Sequence, residues 1–151
     1  MLKTLSLVIA LLFTSAYADS KENNTTQRKK TLSGKSLVIF VNSGNLQQAG
    51  MGFGIALSGV KQGANVTIVI GADAIKYALK ENSQNIYFAK NKTPRQLIAN
   101  AIKNGATVQI CSANAEEMEL DEDDFIEGTK VVISTQIFAK VFAEGTRVIS
   151  F

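Results

Sequence analysis

Apolar residues along this chain fall into short blocks with two different periods. Ser36 to Asn42 (SLVIFVN) is a continuous apolar run without helical spacing. Strands buried on both faces read this way, and parallel sheets are built from them. Ser43-Gly44-Asn45 turns the chain. Over Leu46 to Gln62 the period changes, and Ala49, Phe53, Ala56, Leu57 and Val60 make one helical stripe, with Gly63 placed to cap its end. Val66 to Ile70 (VTIVI) is a second strand, and Gly71 to Lys80 predicts a turn and short helix. Ile86-Tyr87-Phe88-Ala89, inside the polar stretch Glu81 to Lys92, reads as a short strand or a packed loop. At Thr93-Pro94-Arg95-Gln96 a helix starts: Thr93 caps, Pro94 fits the first turn and Gln96 completes a capping box. It runs to about Asn104 and stops at Gly105. Thr107 to Cys111 (TVQIC) is a third strand, followed by a loop or short helix from Ser112. Lys130 to Ser134 is a fourth strand, Gln136 to Ala143 a short helix, and Thr146 to Phe151 a last strand.

Strands joined by helices at this spacing predict an α/β fold: a three-layer, open, mostly parallel sheet with helices on both faces. Ligands of such sheets sit beyond the carboxyl ends of the strands. Three turns meet there: Asn42-Ser43-Gly44-Asn45, Gly71-Ala72-Asp73 and Cys111-Ser112-Ala113-Asn114. Residues 36–151 read as one domain without an internal repeat. Ahead of it, Lys3, the apolar stretch Leu5 to Phe13 and the small-x-small pair Ala16 and Ala18 have the layout of a secretory signal peptide over residues 1–18. The apolar stretch is too short to span a bilayer, so the expectation is a periplasmic protein with no membrane span after cleavage. Residues 19–35 read as a flexible polar leader.

Composition removes several chemistries. The 151 residues include no His, which excludes a Ser-His-Asp triad, a Cys-His pair and imidazole metal ligands. A single Cys excludes an internal disulfide, a CxxC pair and a multi-cysteine zinc site. There is no Trp, and the other aromatics are scattered, which argues against a stacking platform for single-stranded nucleic acid. The formal charge of +3 sits in the leader and signal, because from Ser36 onward 10 basic residues face 11 acidic ones. No nucleic-acid partner is expected.

Cys111 is the one candidate for covalent chemistry, as a nucleophilic or redox-sensitive thiol. It closes an apolar strand and opens into small polar residues, where free N–H groups of Ser112 and Ala113 and a helix dipole favour a thiolate. The competing reading is a cysteine that fills the core of a binding module without catalysis. Eight of the 13 acidic residues lie between Glu116 and Glu127, and facing the thiol they would weaken it. No basic residue is near Cys111 in sequence, so an activating Lys has to come from another strand or subunit. Asp121, Asp123 and Asp124 echo a calcium loop, but no glycine stands at its sixth position, and no metal or cofactor is expected. Gly50, Gly52 and Gly54 lack dinucleotide spacing and lie inside a helix, where they suit close packing better. A nucleotide-dependent enzyme would also lack a phosphate loop and an evident acid–base pair.

In order, the first strand and its polar turn, the small-residue helix ending at Gly63, the Gly71-Ala72 turn and the helix ending Asn104-Gly105 before a strand closing at Cys111 form a recognisable series. With Leu120 to Val132 and the closing Phe142-Ala143-Glu144-Gly145 and final strand, the chain from about Lys35 to Phe151 resembles the DsrE/DsrF family of sulfur-relay proteins. The resemblance implies a flavodoxin-like fold and a homo-oligomer, a trimer or hexamer. It further implies that Cys111 accepts a persulfide sulfur and passes it to a protein thiol partner. Supporting contacts are expected from Asn42, Ser43, Asn45, Gly71, Asp73, Ser112 and Ala113.

Overall fold

The structure is a computed structural model that describes residues 31–81 and 91–151. The expected signal peptide, the first part of the leader and Ile86 to Ala89 lie outside the described residues. Among the described residues, five strands form one parallel sheet: β1 Ser36–Val41, β2 Asn65–Ile70, β3 Thr107–Cys111, β4 Thr129–Val132 and β5 Thr146–Ser150, in the order β4-β3-β2-β1-β5. The described residues between them form four α-helices, α1 Leu46–Lys61, α2 Pro94–Lys103, α3 Ser112–Glu117 and α4 Ser134–Val141, with 3-10 turns at Ala72–Tyr77 after β2 and at Glu122–Asp124 before β4.

Alternation along the strands divides the sheet into two unequal faces. Ile39, Val41, Val66, Ile68, Ile70, Val108 and Ile110 point to the larger side, where Phe53, Ala56, Leu57, Leu97, Ile98 and Ala101 of α1 and α2 cover them. Val38, Val69 and Val132 point to the other side and meet Ile137 of α4. The strand order accounts for α4's position. β1 to β4 are laid down in sequence outward, and β5 then returns to the far side of β1. That return crosses four strand spacings, about 19 Å, while eight helical residues rise about 12 Å. A slanted helix with short flanking turns covers the distance and leaves much of this face thinly covered. Ile133, Phe138, Phe142 and Val148 are exposed there, Phe142 by 81%.

The local signals are realised in detail. Asn45 caps α1 by accepting from the N–H groups of Gln47 and Gln48. Gly63 and Gly105 follow α1 and α2 with φ of 91° and 96°, the left-handed region that ends helices. Thr93 and Gln96 form the expected capping box of α2, with Pro94 in its first turn. Inside α1, a side chain at Gly52 would come within 2.8 Å of Val41 and 3.1 Å of the Phe151 ring, so close packing explains that glycine.

Two boundaries differ from the expectation. Thr31 to Lys35, expected within the flexible leader, form a turn docked on the end of α1. Leu32 packs against the core, its N–H donates to the Gln62 carbonyl, and Thr31 bonds the Gln62 side chain. Ser134, read as the end of the fourth strand, instead opens α4. The β-branched run ends in pairing at Val132, and Gln136 turns back to accept from the Ile133 N–H.

Candidate functional site

Register brings one row of residues together at the carboxyl edge of the sheet. Val41 pairs with Ile70, Ile70 with Ile110, and Cys111 with Val132. One step further along, Asn42, Gly71, Cys111 and Val132 therefore stand side by side. By alternation they share the α4 face with Val69. Cys111 is half-buried. It is also the cap residue of α3, with φ −68° and ψ 118°, and its side chain makes no capping bond. The thiol is left for other contacts. Ser112 and Ala113 begin α3, so their N–H groups have no intrahelical acceptor.

Gly71 is the notch in this row. A β-carbon there would sit 2.9 Å from both Asn42 Oδ1 and Asn114 Oδ1, and 3.8 Å from the Cys111 β-carbon. Its own backbone is extended, so the requirement for glycine comes from this close approach. Asn114 holds the next turn as well: its Oδ1 accepts from the N–H of Ala72, a residue in the left-handed region at φ 44°. Asn114 was present in the third expected turn but absent from the expected site residues. Its role needs a bond to a turn 42 residues away, which no local pattern signals.

The other expected residues take different work. Asn45 is the α1 cap. Ser43 accepts from the Asn45 N–H and donates to Gln48 Oε1 at 2.5 Å. Both stabilise the start of α1 and do not join the Cys111 row. Asp73 is exposed on the 3-10 turn and lies against Gly44, where a β-carbon would be 2.6 Å from its own. Beside it Tyr77 donates to the Gly44 carbonyl at 2.7 Å and sets its ring edge-on to Phe53. Burial pushes the Tyr77 hydroxyl above its ordinary pKa.

The second half of the acidic run is tied down by local bonds and by Lys80. Asp121 accepts from the Asp123 N–H, Asp124 accepts from the Asp121 N–H, and Lys80 Nζ donates to the Asp123 carbonyl at 2.6 Å. Phe125 is buried, and its backbone bridges to Leu79. Among the described residues, no three Cys, Asp or Glu side chains gather where they could hold a metal ion.

A second row lies under the first: Phe40, Val69, Gln109 and Lys130 are cross-strand neighbours on the same face. Gln109 is 7% exposed, and its Oε1 is buried without a hydrogen-bond partner. Such an orphaned group costs about 1–3 kcal/mol. Sequence reading passed over Gln109 because it sits inside an apolar strand, and Lys130 because it is 19 residues from Cys111 and becomes a neighbour only through pairing.

A five-stranded parallel sheet with this strand order and a cysteine at the end of β3 defines a small open-sheet α/β protein. The DsrE/DsrF-like family profile matches residues 35–151, and the chain belongs to that family. Solved structures with the same fold include the ychN protein of E. coli, with a TM-score of 0.63 at 12% identity, covering 78% of this chain and 99% of that one. A protein of unknown function from Bacteroides thetaiotaomicron, BT1422, aligns with a TM-score of 0.59 at 14% identity, over 78% and 95% of the two chains. MTH1491 from Methanobacterium thermoautotrophicum, also of unknown function, aligns with a TM-score of 0.56 at 14% identity, over 78% and 99%. No curated protein matches the chain.

Proposed function

We propose that this DsrE/DsrF-like protein carries sulfane sulfur on Cys111. The observation that carries the reading is the notch at Gly71: the half-buried thiol stands beside a position kept free of a side chain and bordered by amide groups of Asn42 and Asn114. A cysteine serving only as core packing would be enclosed by aliphatic groups. The chemistry needs one thiol. The Cys111 thiol gives its proton to solvent, and the thiolate attacks a sulfane sulfur. An Sγ–S bond forms as the donor's S–S bond breaks, and the bonding pair leaves with the shortened donor. A partner thiolate then attacks the outer sulfur, and the pair of the breaking Sγ–S bond returns to Cys111. The sulfur moves without net oxidation of the protein.

The signal-like N-terminus supports export to the periplasm, with Asp19 as the first mature residue. The exposed Ile133, Phe138, Phe142 and Val148 support a homo-oligomer, and the family likeness makes a trimer or hexamer the expected size. Intact-protein mass spectrometry tests the carrier reading. After exposure to polysulfide, the wild type gains one sulfur atom and Cys111→Ser gains none, and the same spectra of periplasmic protein give the mature N-terminus. A wild-type thiol that takes no sulfur, and resists alkylation until the protein is unfolded, leaves a binding module in which Cys111 is packing.

A further inference from the structure

The sheet ends on one side at β4 and on the other at β5. An unpaired strand rim is a template for another strand, and native sheets guard it with short strands, lysines, prolines or bulges. β4 is guarded: it has four residues and carries the exposed Lys130. β5 (TRVIS) has no lysine and no proline, and its register on β1 runs without a bulge. Phe151 donates its N–H to the Phe40 carbonyl and accepts from the Asn42 N–H, so alternation turns the backbone groups of Arg147, Ile149 and Phe151 toward β1. Those of Thr146, Val148 and Ser150 point out of the sheet. Apart from the turn bond between the Thr146 N–H and the Ala143 carbonyl, no described residue bonds that outer rim.

We propose that β5 pairs antiparallel with β5 of a second copy across a two-fold axis, with Val148 opposite Val148. The backbone dictates the register. Only outward-turned residues can exchange bonds, and overlap of the whole strand then puts Val148 on the axis and Thr146 opposite Ser150. Val148 exchanges N–H···O=C bonds with its counterpart, and on each side the Ser150 N–H donates to the free Thr146 carbonyl. The side chains suit the same register. A β-branched pair lies on the axis between hydroxyl pairs, and Arg147 stands opposite Ile149 of the second copy, so no like charges are opposed. Surface area also favours a second copy. Val148 is 44% exposed on the α4 side, the face on which Phe138 and Phe142 are exposed by 54% and 81%. At about 200 Å² per ring, two copies bring roughly 540 Å² of aromatic surface, near half of the ~1,200 Å² of the smallest stable interfaces, and the strand seam adds to it. The inference rests on the homo-oligomer reading and specifies its contact. It is independent of sulfur carriage. A two-fold seam requires an even number of chains, which a hexamer satisfies and a lone trimer does not.

The test uses the full chain in light scattering and in crosslinking. The wild type has an even number of chains. Val148→Pro removes a donor that points out of the sheet and none of the bonds to β1, so it halves the mass while circular dichroism remains that of the wild type. Val148→Ile keeps the full mass. Val148→Cys, placed in a Cys111→Ser chain so that it is the only thiol, links into covalent pairs on mild oxidation, because α-carbons opposed on the axis are about 5.5 Å apart. Arg147→Cys in the same chain stays single, since the register sets it diagonal to its counterpart, beyond the ~7 Å reach of a disulfide. If Val148→Pro does not fold, the crosslinks decide. A Val148→Pro protein of full mass, or a Val148→Cys chain that does not link, overturns the proposal. A wild-type trimer rejects the seam alone and leaves the homo-oligomer standing. A wild-type monomer rejects both and leaves the rim of β5 to a different chain.

Discussion

Gly71 has an ordinary extended backbone that any residue could adopt, so its identity is fixed by what surrounds it. Replacing it with alanine drives a methyl group onto two amide oxygens at 2.9 Å. Gly71→Ala should destabilise the fold by about 1–3 kcal/mol, as overpacking does, with the midpoint of urea unfolding as the measure. The same methyl group fills the notch beside Cys111, so thiol alkylation should also slow. A variant as stable and as reactive as wild type would mean that Asn42 and Asn114 swing aside freely. Cys111 itself was visible in the sequence as a thiol at a strand end. Its neighbours Asn42 and Gly71 were visible as turn residues. The amides that give the notch its character, and Asn114 above all, depend on which strands lie side by side.

Elements were legible where their signals are local. Thr93, Pro94 and Gln96 announce α2, and the structure forms their capping box. Thr93→Ala should cost about 1 kcal/mol, seen as a lower thermal midpoint, because one N–H of the first turn loses its acceptor. A drop much below 0.5 kcal/mol would show that Gln96 and Pro94 hold the helix start without it. The stripe of α1 and the buried runs of β1 and β2 likewise needed only periodicity. The start of α4 was not legible at its true place, because Val131, Val132, Ile133 and Ser134 continue a strand-like pattern past the last pairing residue. The same holds for Thr31 to Lys35. Leu32 is a lone apolar residue in a polar stretch, and its burial depends on the end of α1 being nearby.

At the scale of the molecule, the two faces of the sheet differ in how well they are closed. The α1–α2 side holds the large core, and the α4 side leaves Phe138 and Phe142 exposed with their rings 6.1 Å apart. Size-exclusion chromatography with light scattering should give a trimer or hexamer for the wild type and a smaller species for Phe142→Asp. An unchanged mass in the variant would move the contact elsewhere. Sequence alone implied helices on both faces and not their imbalance, because that follows from the return of the chain across the whole sheet to place β5 beside β1. This order also has a consequence in time. β1 is made early, but its outer rim finds its hydrogen bonds only when Thr146 to Ser150 have arrived, as Ser36 pairs with Thr146. Until they do, a chain that has paired β1 to β4 carries an unpaired strand rim, a site for mispairing between chains. Completion of the native sheet is therefore a late, long-range event, which favours slow folding and gives chaperones an interval in which to hold the chain.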